Sequence, residues 1–230
     1  MRAGSALRRG GLGIAAAALL SMCMHGEHPA PAGKAATPDA HELAKRVDEH
    51  YNKLHALKAG FTESYAGLGM HRQESGTLLL AKPGRMRWDY TSPAGKLFLL
   101  DGKYAWFYTQ GDAQVQRIPA KQLDDLRSPL RFLLGHTELA KELVNLTLKP
   151  APGGLFALTG QPKGQENRIP RLTLTVTPAG AITGIEIEEV DGAITGFTFS
   201  GETPNPAIPT DAFRFAPPAG VPVIDALPPV

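Results

Sequence analysis

From Arg85 the chain reads Arg-Met-Arg-Trp-Asp-Tyr, and its side chains sort cleanly onto two sides. Met86, Trp88 and Tyr90 fall on one side of an extended backbone; Arg85, Arg87 and Asp89 fall on the other. Alternation at period two marks a strand with one apolar face and one wet face. The pattern recurs. Leu172, Leu174 and Val176 alternate with Thr173, Thr175 and Thr177, Ile185 and Ile187 with Glu186 and Glu188, and Phe197 and Phe199 with Thr198 and Ser200. Strands are expected over 58–67, 72–82, 84–91, 95–101, 104–110 and 114–118. After a helical stretch they resume over 145–149, 154–159, 169–177, 182–190, 193–200 and 212–215. Gly67-Leu-Gly69, Lys82-Pro-Gly84, Ser92-Pro93, Asp101-Gly102 and Asp191-Gly192 supply the turns between them. No repeat period is visible.

Two regions have helical spacing instead. Asp39 followed by Glu42 is a capping-box pattern, and Leu43, Val47, Tyr51 and Leu54 then recur at helical intervals. One amphipathic helix is expected over 40–56. Between Ala120 and Asn145, Leu123, Leu126, Leu130, Leu133 and Leu134 are three or four apart, broken by Pro129 and Gly135. Thr137 can cap a further piece with Leu139 and Leu143 inward. These are short helices.

So many consecutive strands call for one large curled antiparallel sheet, or a sandwich. Each strand is apolar on one face only, and that face needs a cover. The helices are the only material for it. A lid of two or three short helices over a wide concavity leaves room for an apolar cavity, with a well-filled core as the alternative. An aromatic face such as Met86-Trp88-Tyr90 fits either.

The first segment stands apart from the fold. Arg2, Arg8 and Arg9 precede an apolar run, Ile14 to Met22, too short to span a bilayer. This is the layout of an export signal over 1–23, with Ala30-Pro31-Ala32 as a later cleavage option. Residues 24–38, rich in Ala, Pro, Gly and His, read as a disordered spacer, and 39–230 as a single domain. Three of the 24 basic residues lie in the signal, which leaves 21 against 22 acidic ones. With no basic run in the body, no nucleic-acid footprint is present. Cys23 is the only cysteine, so no disulfide and no thiolate metal site is expected. Leu20-Ser21-Met22-Cys23 loosely matches a lipidation box, although Met22 sits where a small residue is usual. A membrane anchor through lipidated Cys23 is the alternative to a free exported form.

No catalytic pattern is found. There is no nucleophile elbow, no phosphate-binding loop and no metalloprotease motif. His25, His28, His41, His50, His55, His71 and His136 lack metal-binding spacing and read as solvated surface groups. Asp124-Asp125 and Glu188-Glu189 are adjacent pairs whose members point apart. Nothing calls for a cofactor or metal, and the chain does not read as an enzyme.

Several stretches, in order, resemble the LolA family of periplasmic lipoprotein carriers across about residues 50–225. They are Ala59-Gly-Phe-Thr-Glu63, Gly76-Thr-Leu78, Lys82-Pro-Gly-Arg-Met-Arg-Trp-Asp-Tyr90, Asp101-Gly-Lys103 with Trp106 and Tyr108, Pro129-Leu-Arg-Phe-Leu-Leu134, and Phe213-Arg-Phe-Ala-Pro-Pro-Ala-Gly-Val221. The last looks like the family's closing strand. The resemblance implies an unclosed antiparallel β-barrel of about eleven strands, with a lid of short α-helices over an apolar cavity. It implies a monomeric periplasmic chaperone that shields the acyl chains of triacylated lipoproteins. Cargo would come from an inner-membrane ABC-type release complex and pass to an outer-membrane acceptor. On this reading Val47, Tyr51, Leu54, Phe61, Met86, Trp88, Tyr90 and Phe98 line the acyl-binding cavity, and Leu130, Phe132 and Leu133 belong to the lid. Some members have a lid-latching arginine where this chain has Lys82, a point charge that cannot form the same bidentate contact. The alternatives are a tethered acceptor of the same fold (LolB-like) and a structural β-domain with a filled core.

Overall fold

The structure, a computed structural model, describes residues 38–125 and 138–225. Its first element is α1 (Ala40–Asn52). The Asp39 carboxylate accepts the Glu42 N–H at 2.7 Å, as the capping pattern requires. Leu43, Ala44, Val47 and Tyr51 form its buried stripe. The helix stops at Asn52, short of the expected 56, because residues from Ala56 on pair into a sheet. The strands are β1 (Ala56–Gly67), β2 (Met70–Ala81), β3 (Arg85–Ser92), β4 (Ala94–Leu100), β5 (Tyr104–Thr109) and β6 (Val115–Pro119). Helices α2 (Ala120–Asp125) and α3 (Leu139–Glu142) flank the middle of the chain. There follow β7 (Leu143–Ala151), β8 (Leu155–Pro162), β9 (Arg171–Val176), β10 (Ile182–Glu188), β11 (Ile194–Pro204) and β12 (Val223–Asp225).

The twelve strands of the described residues form one sheet in the order β12-β6-β5-β4-β3-β2-β1-β11-β10-β9-β8-β7. The two ends of this order do not pair, so the barrel is unclosed. Neighbours are antiparallel except β12, which runs parallel to β6. The β1–β11 pairing joins the two halves, with Phe61 opposite Phe199 and Glu63 opposite Phe197. Helix α1 lies against the concave face, where Leu43, Val47 and Tyr51 meet Leu57, Phe61, Leu78, Trp88, Leu172, Leu174 and Ile185 in one cluster. Burying each large apolar side chain there contributes about 2 kcal/mol.

Three local expectations change, and a fourth lies outside the described residues. Leu143 is inward but opens β7 rather than extending a helix, and α3 begins after Glu138, which makes no side-chain cap. The expected helix through Leu126, Pro129, Leu130, Leu133 and Leu134, and the Thr137 cap, lie outside the described residues. Residues 212–215 and the segment Phe213–Val221 are not a closing strand; the last strand among the described residues is Val223–Asp225. Finally, β2, β4 and β5 carry apolar residues on both faces. Leu79, Leu97, Leu99 and Trp106 line the convex face and are covered by Ile208, Ala212, Phe213 and Phe215. That strap explains the missing strand: its side chains pack across the sheet, so its backbone cannot also pair along the edge. Arg87 fixes it by donating to the Ala212 carbonyl at 3.1 Å.

Candidate functional site

The concave face carries a graded surface. In register, Leu78, Trp88 and Phe98 lie side by side on β2, β3 and β4. Across the β1–β11 seam stand Phe61, Phe197 and Phe199. The ring of Trp88 lies 4.5 Å from Phe61 and 5.6 Å from Phe197, both edge-on, and 6.5 Å from Phe199. Such edge-to-face contacts favour aromatic packing beyond the area buried. Trp88 is 2% exposed. Its indole Nε1 is buried and has no hydrogen-bond partner among the described residues. Tyr90, Phe98, Leu100, Phe156 and Phe199 pack against this cluster but are only partly buried, so it has an open apolar margin.

One step further along the same face the surface turns ionic. Tyr90, whose ring is 5.0 Å from Phe61, donates its hydroxyl to Glu63 Oε2 at 3.1 Å. Burial, and then the Glu63 carboxylate, push the Tyr90 phenol well above its ordinary pKa and keep it a donor. Lys96 Nζ sits 4.2 Å from the Tyr90 ring centre and pairs with the buried Glu74, which Arg72 Nε reaches at 3.3 Å. A buried carboxylate with two cationic partners is what desolvation demands.

At the opposite end of this face, α1 is pinned by polar contacts. Lys82 Nζ donates to the Tyr51 carbonyl at 2.9 Å, beside the helix C-terminus, where a cation is favoured. Burial lowers the Lys82 pKa from its ordinary value. The Tyr51 hydroxyl accepts the buried Ile182 N–H at 2.9 Å and donates to Glu202 Oε2 at 3.2 Å. Burial and the Glu202 carboxylate raise its pKa far above the usual phenol value. His50 Nε2 meets Glu202 Oε1 at 2.7 Å, so His50 is a part-buried partner of β11 and not the solvated group expected. Further up the helix, Asp48 accepts the Leu139 N–H at 3.1 Å. Burial first, and then the neighbouring Glu138 and Glu142, raise its pKa to about 6.

The structure thus brings Val47, Tyr51, Leu54, Phe61, Met86 and Trp88 into one buried cluster, with Tyr90 and Phe98 packed on its margin. Lys82 makes a single contact to α1, as its point charge allows. Leu130, Phe132 and Leu133 lie outside the described residues. Sequence reasoning missed Phe197 and Phe199, whose alternation was visible but whose place beside Phe61 required the β1–β11 pairing. It also missed Glu63, Glu74, Lys96 and Glu202, polar residues that gain meaning only from partners far along the chain. Among the described residues no cluster of His, Cys, Asp and Glu can hold a metal ion, and no helix is long and apolar enough to cross a membrane.

Comparison with known proteins agrees with this geometry. The family described as "Outer membrane lipoprotein carrier protein LolA" matches residues 52–216. A Chromobacterium violaceum protein named outer-membrane lipoprotein carrier protein is 32% identical, over 84% of this chain and 92% of its own. One of the same name from Proteus mirabilis is 30% identical, over 78% of this chain and 86% of its own. Among solved structures, an uncharacterised conserved protein from Thermus thermophilus shares the fold, with a TM-score of 0.51 at 14% identity over 81% of this chain and 99% of that one. With its unclosed sheet, its apolar concave face and a family match over residues 52–216, the chain belongs to the LolA family of outer-membrane lipoprotein carrier proteins.

Proposed function

We propose that this protein is a non-enzymatic periplasmic carrier that shields the acyl chains of lipoproteins and moves them from the inner to the outer membrane. The observation that carries the reading is the concave apolar face, continuous across the β1–β11 seam and left partly open at Tyr90, Phe98, Phe156 and Phe199. The names of the relatives support the cargo class. An acyl chain of roughly 15 methylenes loses on the order of 10 kcal/mol in water, so it crosses an aqueous space only when covered.

In this reading Phe61, Trp88, Tyr90 and Phe98 form the acyl floor, and Val47, Tyr51, Leu54 and Met86 the wall behind it. An ABC-type release complex loads the carrier and an outer-membrane acceptor unloads it. Residues 1–23 direct export, 24–38 are a spacer, and 39–230 form the carrier. Lys82 holds the C-terminus of α1 in the empty state, and the energy of closing the empty protein offsets part of the gain from lipid so that cargo can leave.

The test is release of a lipoprotein from spheroplasts. Purified protein lacking residues 1–38 is added to spheroplasts that make a tagged lipoprotein. The expected result is lipoprotein in the supernatant as a stoichiometric complex. Lipoprotein that stays membrane-bound, under conditions where a family carrier of known activity releases it, overturns the reading.

A further inference from the structure

Among the described residues, the Trp88 indole N–H is the polar group of the aromatic floor left without an acceptor. Trp106, the other tryptophan, donates to Asp101 Oδ2 at 2.7 Å. Tyr90 and Tyr51 both have partners for their hydroxyls. Trp88 Nε1 is buried with none. A phenylalanine there would fill similar space without stranding a donor in a dry site, where an unpaired N–H is unfavourable.

Its position says what would satisfy it. Along the concave face of β3, Met86, Trp88 and Tyr90 follow one another at about 7 Å per step. Met86 is buried in the apolar cluster. Tyr90 belongs to the ionic group with Glu63, Lys96 and Glu74. The face therefore runs from apolar, through a ring with one free donor, to charged. An acylated amphiphile has the same order: methylene chain, carbonyl linkage, polar head.

We propose that Trp88 is a specificity-determining residue that donates its indole N–H to the carbonyl of an ester- or amide-linked acyl chain, fixing the depth and direction of the bound lipid. The acyl tail then lies towards Met86, and the polar part towards Tyr90, Lys96 and Glu74. This rests on the carrier reading. It adds that the protein recognises the linkage and does not merely cover the grease. A carbonyl brought to Nε1 gains a hydrogen bond in a site closed to water, so the linkage is worth more there than in solution. An ether-linked chain of equal length has no carbonyl; its in-chain oxygen is a weaker acceptor and does not project to where the carbonyl oxygen would lie.

The test uses two synthetic probes, a diacylglyceryl-cysteine peptide with ester links and its dialkyl ether analogue. Both are titrated into the protein lacking residues 1–38. The ester probe is expected to bind about 5-fold more tightly or better, since one such bond is worth about 1 kcal/mol and 1.4 kcal/mol is tenfold. Trp88→Phe is expected to bring the ester probe down to the affinity of the ether probe. Independently of any variant of Trp88, indole ¹⁵N–¹H spectra of the unmodified protein report the bond, with Trp106→Phe assigning the two signals. The Trp88 indole proton is expected to move downfield with the ester probe and not with the ether probe.

Equal affinity for both probes overturns the assignment of Trp88 and leaves the carrier reading standing. So does an ester preference that persists in Trp88→Phe, or a Trp88 indole proton that does not distinguish the probes. Binding of neither probe overturns the carrier reading itself.

Discussion

Replacing Tyr51 with phenylalanine removes one oxygen and tests how α1 is held. That hydroxyl accepts the Ile182 N–H at 2.9 Å and donates to Glu202 at 3.2 Å. Its ring is 3% exposed, so water does not readily take its place. In Tyr51→Phe the Ile182 N–H stays buried and unpaired, which costs about 1–3 kcal/mol. Glu202 loses one of two partners but keeps His50 and some contact with water, so that loss adds less than about 1 kcal/mol. Taken at the middle of those ranges, the sum is about 2–3 kcal/mol. For a domain of this size each kcal/mol moves the midpoint by about 2–4 °C, so Tm should fall by about 4–12 °C. Thermal unfolding followed by circular dichroism measures the shift, and hydrogen exchange at the Ile182 amide locates it. A fall below about 2 °C with the Ile182 amide still protected refutes the reasoning, because the hydroxyl would then not be what secures α1 to β10.

Asp48 should make the protein pH-sensitive in the direction opposite to an ordinary ion pair. Its folded pKa of about 6 lies above the unfolded 3.8, so the native state binds the proton more readily. The contribution of this group to stability is greatest below about 4 and declines as pH rises through 6. Asp48→Asn should raise stability at pH 7.5 by about 1 kcal/mol after allowing for solvent screening. That gain should shrink as the pH is lowered through 6 towards 4, as melts at several pH values would record; a gain independent of pH counts against it. Lys82→Met should lower stability by about 1 kcal/mol and tighten binding of an apolar fluorescent probe, because the empty form loses its contact to the Tyr51 carbonyl. Unchanged probe affinity would remove Lys82 as a latch. Gly180→Ala should destabilise by about 2–4 kcal/mol on chemical denaturation, since the new Cβ would sit 2.3 Å from the Arg46 carbonyl at a backbone φ of +93°. A near-neutral result would mean that α1 is not seated on the β9–β10 turn.

The parts of the fold legible in the sequence are those whose cause is local. Asp39 caps α1 through an N–H three residues away, so the helix start can be read directly. Met86, Trp88 and Tyr90 share a face because the backbone pleat alternates, whatever lies next to them. The turns at Gly67-Leu-Gly69 and Asp191-Gly192 are written in two or three residues. Hence the strands, their apolar side and the covering helix follow from pattern alone. What the tertiary structure decided depends on pairings more than a hundred residues apart. Phe199 faces Phe61 only because β11 returns to β1. Glu202 has no visible role until it meets His50 and Tyr51. Phe213 reads as part of a strand, yet it packs across the convex face, where Leu99 and Trp106 need cover. Alternation is a property of one strand, and it says which residues share a face. Which residues meet across the sheet is set by the order of the strands, and that order is chosen by burial of the whole concave surface at once.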